Sequence, residues 1–367
     1  MLFSIRRVLG IAAVTVAAAA PLCGQGAAPA PAPAPAPSPI TVTGLVYTQF
    51  LYQLADTSYG VSRFDITRAY INILGKWSGG LQARITGDIF TNSDSSRAYR
   101  LKYAYAAYTP AKSPLTFKAG LIHTPWLDWE EALWDYRMQG AMAMDRDGYL
   151  SSADFGIGID EKTGSDVTNG QITIVNGENY NKGTGDDGKD IMARFSVRVL
   201  ESDDKSRVGG LRVSVYGQWG VPTSGGQRER AIMMLSYRSK IFTVAAEAAA
   251  TRDTVSGTAV VAGVYPTAIA VQHPTNGHVY SAYGVFHIPQ AKGKPGNAAI
   301  IARVDIQKPN SGGVNTQTTR YIAGVSYQLH PNWRLLADVD LLSYQTTPTA
   351  AQVLTQKTAY FQTQINF

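Results

Sequence analysis

The chain has 367 residues, of which 45% are hydrophobic and 16% charged, with a formal net charge of +6. That balance is too mild to point to nucleic acid. The single cysteine, Cys23, excludes a disulfide framework and cysteine-based metal spacing.

In chain order, Arg6 and Arg7 precede an Ala-rich apolar run from Val8 to Leu22, with small residues at Gly24, Gly26 and Ala28. This pattern predicts a secretory signal over residues 1–26. The run is short for a spanning helix, which disfavours a membrane anchor. Leu22 before Cys23 disfavours lipid attachment, and cleavage after Gly26 leaves no cysteine. In the linker expected over residues 27–39, Pro29 to Pro39 alternate Pro and Ala, broken only by Ser38. Such a segment cannot pack a core and is expected to be an extended polyproline spacer of roughly 34 Å in the periplasm, with peptidoglycan contact as a sharper alternative.

From Ile40 to Phe367 the chain has no long apolar helix pattern, and apolar and polar residues alternate in short runs. Sixteen such runs are read near 40–54, 61–77, 80–92, 98–109, 114–122, 150–161, 168–179, 188–200, 207–220, 228–238, 240–252, 276–290, 295–307, 318–330, 331–345 and 357–367. Side chains alternate across a strand with period 2. Residues Ile191, Ala193, Phe195, Val197 and Val199 therefore share one face, and Arg194, Ser196 and Arg198 the other. A charge on the lipid face at mid-bilayer costs about 2–4 kcal/mol, so the arginines assign the inner face. The connections alternate too. Trp77 to Gly80, Ser239 and His330 to Asn332 are tight, whereas 123–149, 180–187, 253–275 and 346–356 are long. Short turns on one side and longer loops on the other are the habit of outer-membrane barrels.

The last run places Ala359, Phe361, Thr363, Ile365 and Phe367 on one face. A strand ending on an aromatic looks like the closing strand of such a barrel, with Phe361, Ile365 and Phe367 as its closing signal. Sixteen strands leave an aqueous lumen where eight are filled by side chains. The expected fold is thus all-β: a 16-stranded antiparallel transmembrane β-barrel over residues 40–367, with an inward-folded third outer loop. The 20 Tyr and 35 Gly suit aromatic girdles and tight turns.

Several local motifs are similar to the phosphate-selective porin O and P family. Phe64 to Ile71 has a basic residue before a small–aromatic pair, and Ala119 to Trp126 is a Gly-containing strand running into a Pro–aromatic turn. Arg146-Asp147-Gly148, Asn179-Tyr180-Asn181 and Gly188-Lys189-Asp190 follow in the family's order. The resemblance covers most of 40–200 and the final strand; 240–300 is generic barrel. It implies a homotrimeric outer-membrane channel, inserted in lipid by the barrel-assembly machinery through the C-terminal strand. Its loop 123–149 would fold into the lumen as the constriction.

The candidate basic lining is Arg68, Arg84, Arg100, Lys102, Lys118, Arg194, Arg198, Arg212, Arg303, Arg320 and Arg334. Arginine's planar fork suits oxyanions, and rings of cations set anion preference. The candidate constriction residues are Trp126, Asp128, Trp129, Glu130, Glu131, Trp134, Asp135 and Arg137. That loop is acidic and has no lysine, and Asp88, Asp154, Asp160, Glu247, Asp305, Asp338 and Asp340 add lumen acids. Acids facing arginines favour a general to weakly anion-selective porin for small hydrophilic solutes, over strict phosphate selectivity. The three tryptophans either stack on sugars or pin the loop to the wall, and pinning is the simpler reading.

An enzymatic barrel needs a nucleophile beside a base. His123 near Glu130 and Glu131 is the sole arguable acid–base cluster, and no Ser or Cys is placed beside it by a motif. No phosphate-binding loop or Cys–His metal spacing appears. No enzyme, cofactor, metal or nucleic-acid partner is therefore expected. The oxygen-rich stretch from Glu178 to Asp190 reads as a solvated loop rather than a cation site. A structural or adhesive barrel is the remaining rival.

Overall fold

The computed structural model describes residues 39–55, 60–91, 96–181, 187–221, 227–261, 267–291, 293–311 and 317–367. The expected signal over 1–26 and all of the Pro/Ala segment but Pro39 lie outside the described residues.

Sixteen strands form one closed antiparallel barrel: β1 (Ile40–Gln53), β2 (Ser62–Lys76), β3 (Leu81–Thr91), β4 (Arg97–Tyr108), β5 (Leu115–His123), β6 (Ala153–Lys162), β7 (Thr168–Val175), β8 (Asp190–Leu200), β9 (Gly210–Gly220), β10 (Arg228–Arg238), β11 (Phe242–Val261), β12 (Thr267–Ala291), β13 (Lys294–Lys308), β14 (Thr318–His330), β15 (Trp333–Tyr344) and β16 (Lys357–Asn366). Each strand pairs with its sequence neighbours, and β16 closes onto β1 from Leu45↔Asn366 to Gln53↔Thr358. Closure removes the open edges that a bilayer cannot hydrate.

Phe367 lies just past β16 and exchanges backbone hydrogen bonds with Gly44, which donates at 2.6 Å and accepts at 3.1 Å. The Phe367 ring covers Gly44 so closely that a Cβ there would lie 2.2 Å from it. Any larger residue at position 44 would have to push the Phe367 ring aside.

The register follows the alternation. Ile191, Phe195 and Val199 are exposed on the outer face of β8, while Arg194 and Ser196 are buried inside. Outward aromatics gather at both ends of the strands. Trp77, Tyr108, Phe242, Phe286, Tyr327, Trp333 and Phe367 mark the short-turn end, and Tyr52, Tyr99, Phe155, Trp219 and Tyr321 lie toward the long-loop end. Two such belts are what the two interfaces of a bilayer select.

One sequence expectation fails. The stretch 253–275 reads as a long loop, but its backbone is mostly ladder, with pairs from Thr254↔Pro274 to Val261↔Thr267. From Thr254 on, the run has no Asp, Glu, Lys or Arg and is rich in Val, Thr and Ala, so strand propensity persists where the apolar–polar period fades.

Candidate functional site

The segment between β5 and β6 is built to leave the barrel wall. Pairing of β4 with β5 covers only Ala104↔Leu121 to Tyr108↔Phe117. Gly120 has φ +124° and sits against the Ala104 carbonyl, a conformation that favours glycine. After His123 the chain enters α1 (Pro125–Leu133), with Pro125 at a position where its missing N–H costs nothing. Asp128 lies in the first turn, where the helix dipole favours a negative charge. A second short helix, α2 (Ala143–Arg146), brings the segment back. Its base is tied by the Thr124 N–H to the Ser152 carbonyl at 3.2 Å and by the Thr124 hydroxyl to the Ser151 carbonyl.

Side chains from the inner faces of β8 to β16 grip this segment. Trp126 Nε1 donates to Glu247 Oε2 at 3.0 Å, and Trp129 Nε1 donates to Ser214 Oγ at 3.1 Å. Tyr136 and Ser326 hydroxyls lie 2.6 Å apart, and Gln362 donates to the Met138 carbonyl at 2.8 Å. Four wall arginines hold loop carbonyls. Arg194 reaches Pro125 at 3.1 Å, Arg238 reaches Ala132 at 2.9 Å, Arg303 reaches Ala141 at 3.2 Å and Arg334 reaches Asp135 at 2.9 Å. From the loop side, Arg146 bonds Asp305 at 2.5 Å.

The three tryptophans 126, 129 and 134 are each 0% exposed, packed with Met144, Tyr216, Ile232, Met234 and Tyr283 in one apolar cluster. Burying large apolar side chains contributes about 1.5–3 kcal/mol each. With no ring face open, a sugar-stacking platform is excluded and the rings act as anchors.

The turn between β8 and β9 adds a clamp. Arg207 donates to the Asp128 carboxylate and to the Asp128 carbonyl, both at 2.7 Å. Burial raises the Asp128 carboxyl's affinity for a proton. Arg207 and His123 outweigh burial and hold it well below the usual carboxylate range. Asp204, in the same turn, is also held low: burial works against ionisation, but the Ser206 N–H and Arg238 outweigh it.

The inner face of β2 to β5 differs. Arg68 and Lys102 both donate to the Tyr70 hydroxyl, Lys102 at 2.5 Å. Arg100 donates to the Tyr180 hydroxyl at 3.0 Å. Arg84 donates to Thr86 and Asn72, each at 2.9 Å, and lies 3.1 Å from His123 Nε2. Each cation also lies over an aromatic face: Arg68 over Tyr70 at 4.8 Å, Arg84 over Tyr103 at 4.6 Å, Arg100 over Tyr180 at 4.7 Å and Lys102 over Tyr70 at 5.0 Å. Among the described residues none of these four has a carboxylate within 4.0 Å, whereas Lys118 pairs with Asp160. The loop carboxylate whose field reaches Arg68 and Lys102 is Glu131, itself 2.8 Å from Arg137, which also lies 3.5 Å from Asp145.

The sequence-derived basic residues therefore fall into two sets. Arg68, Arg84, Arg100 and Lys102 share one wall with Lys118. Arg194, Arg303 and Arg334 hold the loop, so they do not form a free ladder. Arg212 is 0% exposed, donates to the Gly209 and Asp166 carbonyls and lies 5.4 Å from the Trp129 ring centroid. Arg198 donates to the Ser165 carbonyl and Arg320 pairs with Asp340 at 2.5 Å. Of the loop residues, Asp135 pairs with Arg238 at 2.9 Å and Glu130 is buried against β11.

Sequence reasoning missed Tyr70, Tyr180, Arg207 and Arg238. Tyr70 was findable, because Arg68 and Tyr70 are two apart on one strand face. Arg207 sits in a turn and carries no periodic signal. Among the described residues no group of side chains is arranged to hold a metal ion.

No protein-family profile matches the chain, and no curated protein does. Solved structures do match. The anion-selective porin from Comamonas acidovorans aligns at a TM-score of 0.62 with 11% identity, over 89% of this chain and 99% of that one. OmpF of Salmonella typhi, in complex with daunomycin, aligns at 0.63 with 13% identity, over 89% and 97%. OmpT of Vibrio cholerae in trimer form aligns at 0.57 with 10% identity, over 89% and 99%. At these identities the likeness concerns the fold. The chain has the closed sixteen-stranded antiparallel barrel of bacterial porins. The porins among these neighbours support the porin fold, and none of the structures named here is a phosphate-selective porin.

Proposed function

We propose that this protein is an outer-membrane porin that passes small hydrophilic solutes and ions down their gradients, with a weak preference for anions. The observation that carries this reading is the group Arg68, Arg84, Arg100 and Lys102 on β2 to β4, cations without a carboxylate within 4.0 Å among the described residues. Asp88 on β3 acts on Arg68, Arg100 and Lys102 without pairing with any of them, so the cations outnumber the acid on this wall and favour anions only weakly. In this reading the 124–152 segment is the constriction, and solutes pass beside Arg68, Arg84 and Arg100. Glu131 and Asp145 on that segment temper the preference by setting a field across the path.

The working unit is a homotrimer in outer-membrane lipid, reached after removal of residues 1–26 and assembled through the C-terminal strand. The grip of β8 to β16 on the loop is a scaffold for transport, and no catalytic role is assigned. A phosphate-selective channel is the second reading, favoured by the same four cations and their tyrosine partners, which offer donors to an oxyanion.

Planar-bilayer conductance in a KCl gradient, followed by phosphate titration, separates these readings. Open steps with a small anion-directed reversal potential and no phosphate block support the general porin. Block by low phosphate overturns it in favour of the second reading. Absence of conductance overturns both and leaves a structural or enzymatic barrel.

A further inference from the structure

Two carboxyl groups meet in the dry contact between the loop and the wall. Glu130, near the end of α1, is 0% exposed, and Glu247, on the inner face of β11, is 4% exposed. The Trp126 indole donates to Glu247 Oε2 at 3.0 Å. Both Glu130 oxygens and Glu247 Oε1 are buried and find no N–H or other protein donor among the described residues, apart from the contact between the two carboxyl groups themselves.

The surroundings supply no direct counter-charge. From β13, Arg303 faces the pair; its Nε is held by Asp305 at 2.9 Å and its Nη1 by the Ala141 carbonyl, while its Nη2 is buried without an acceptor and comes no closer than 4.0 Å to either carboxyl group. Asp305 adds a further negative charge, and Tyr283 faces the pair from β12. On α1 itself, Asp128 is committed to Arg207 and Glu131 to Arg137. Neither Glu130 nor Glu247 has a cation within 4.0 Å among the described residues, although many other acids of the lumen do. Two ionised carboxylates in such contact repel strongly. A single proton between them turns the contact into a charge-assisted hydrogen bond.

We propose that Glu130 and Glu247 share one proton and so form a pH-sensitive latch that fastens α1 to the barrel wall. Burial and the facing Glu247 hold the Glu130 carboxyl well above its ordinary value. A raised carboxyl fixes the sign: docking is fully supported below the ordinary carboxyl value, weakens as pH rises above it, and reaches its floor once pH passes the raised value. The latch is a property of the loop contact. Its effect on current rests on the porin reading above.

Hydrogen exchange of the 126–133 amides in the full-length folded protein, corrected for intrinsic rate between pH 6 and 10, tests the latch directly. In the wild type, protection should fall by about tenfold per pH unit while the docked pair still holds the shared proton, and level off once that proton is lost. Glu130→Gln keeps a donor toward the Glu247 carboxylate at every pH and should make protection flat. Glu247→Gln reads the same latch from the other partner if the first variant does not fold. A flat wild-type profile, or an equal fall in the foldable variant, overturns the proposal. In bilayers the wild type should show noisier open current at alkaline pH and Glu130→Gln should not. A silent barrel would remove the porin reading while the exchange result still decides the latch.

Discussion

The inner walls formed by β2–β4 and by β8–β15 both carry inward arginines, yet those arginines do different work. On β8–β15 Arg194, Arg238, Arg303 and Arg334 hold backbone carbonyls of the 124–152 segment. On β2–β4 Arg68, Arg84 and Arg100 hold tyrosine hydroxyls or neutral side chains and lie on aromatic rings. The strand pattern is the same in both. What differs is the partner each arginine finds: a loop carbonyl on β8–β15, a tyrosine hydroxyl or a neutral side chain on β2–β4. An inward arginine therefore reports the direction of a face, while its partner reports its role.

That contrast can be broken most forcefully at Arg303. Its pair with Asp305 is 0% and 2% exposed, and removing one partner of a buried pair costs about 3–5 kcal/mol. Arg303→Ala should lower the urea midpoint of the folded barrel and release the loop as larger, less steady conductance steps. A midpoint equal to wild type would show that the clamp is dispensable.

Arg194→Ala should come next. It leaves the Pro125 and Asn169 carbonyls without their cationic donor, a loss of about 1.5–3 kcal/mol. Stability should drop with little change in reversal potential. A large selectivity shift instead would move Arg194 to the conducting path.

Lys102→Gln is the converse case. Lys102 is 1% exposed and acts on a passing ion from beyond contact range, so removing its charge should lower the chloride-to-potassium permeability ratio by less than about fivefold, the effect of a charge 4 Å away in water. Its thermal midpoint should stay near wild type or rise, because a buried ammonium beside Arg68 is relieved. An unchanged reversal potential would detach β2–β4 from conduction.

The smallest effect concerns acid. Asp128 is held well below its ordinary range, so the support it gives is present above the unfolded value near 3.9 and is lost only as pH falls through the depressed folded value. Conductance at pH 4.5 should match that at pH 7 as far as this clamp is concerned. Loss of the clamp at pH 4.5 in wild type, read as the behaviour of Arg207→Ala, would show that Arg207 does not hold the carboxylate.

The barrel itself was legible in the residues. Alternation in 188–200, 207–220 and 331–345 fixed both register and facing, because a one-residue slip would turn Arg194, Arg212 or Asp338 to lipid. Alternating turn and loop lengths gave the order of the strands, and the apolar face of 357–367 gave closure. The 254–275 hairpin was hidden because an uncharged Val- and Thr-rich run has little period to read. The site was legible only as composition. Trp126, Trp129 and Trp134 were visible as a group, but their burial depends on Glu247, Ser214 and Met234, more than eighty residues away in sequence.

The sequence by itself determined the strands, their facing and the sign of charge on the inner surface, since these follow from a local period and the cost of a charge in lipid. Only the tertiary structure decided which arginines are spent on the loop, which stay beside tyrosines, and that Glu130 meets Glu247. Those outcomes depend on long-range contacts across the lumen, and no local pattern encodes which side chain will find which partner there.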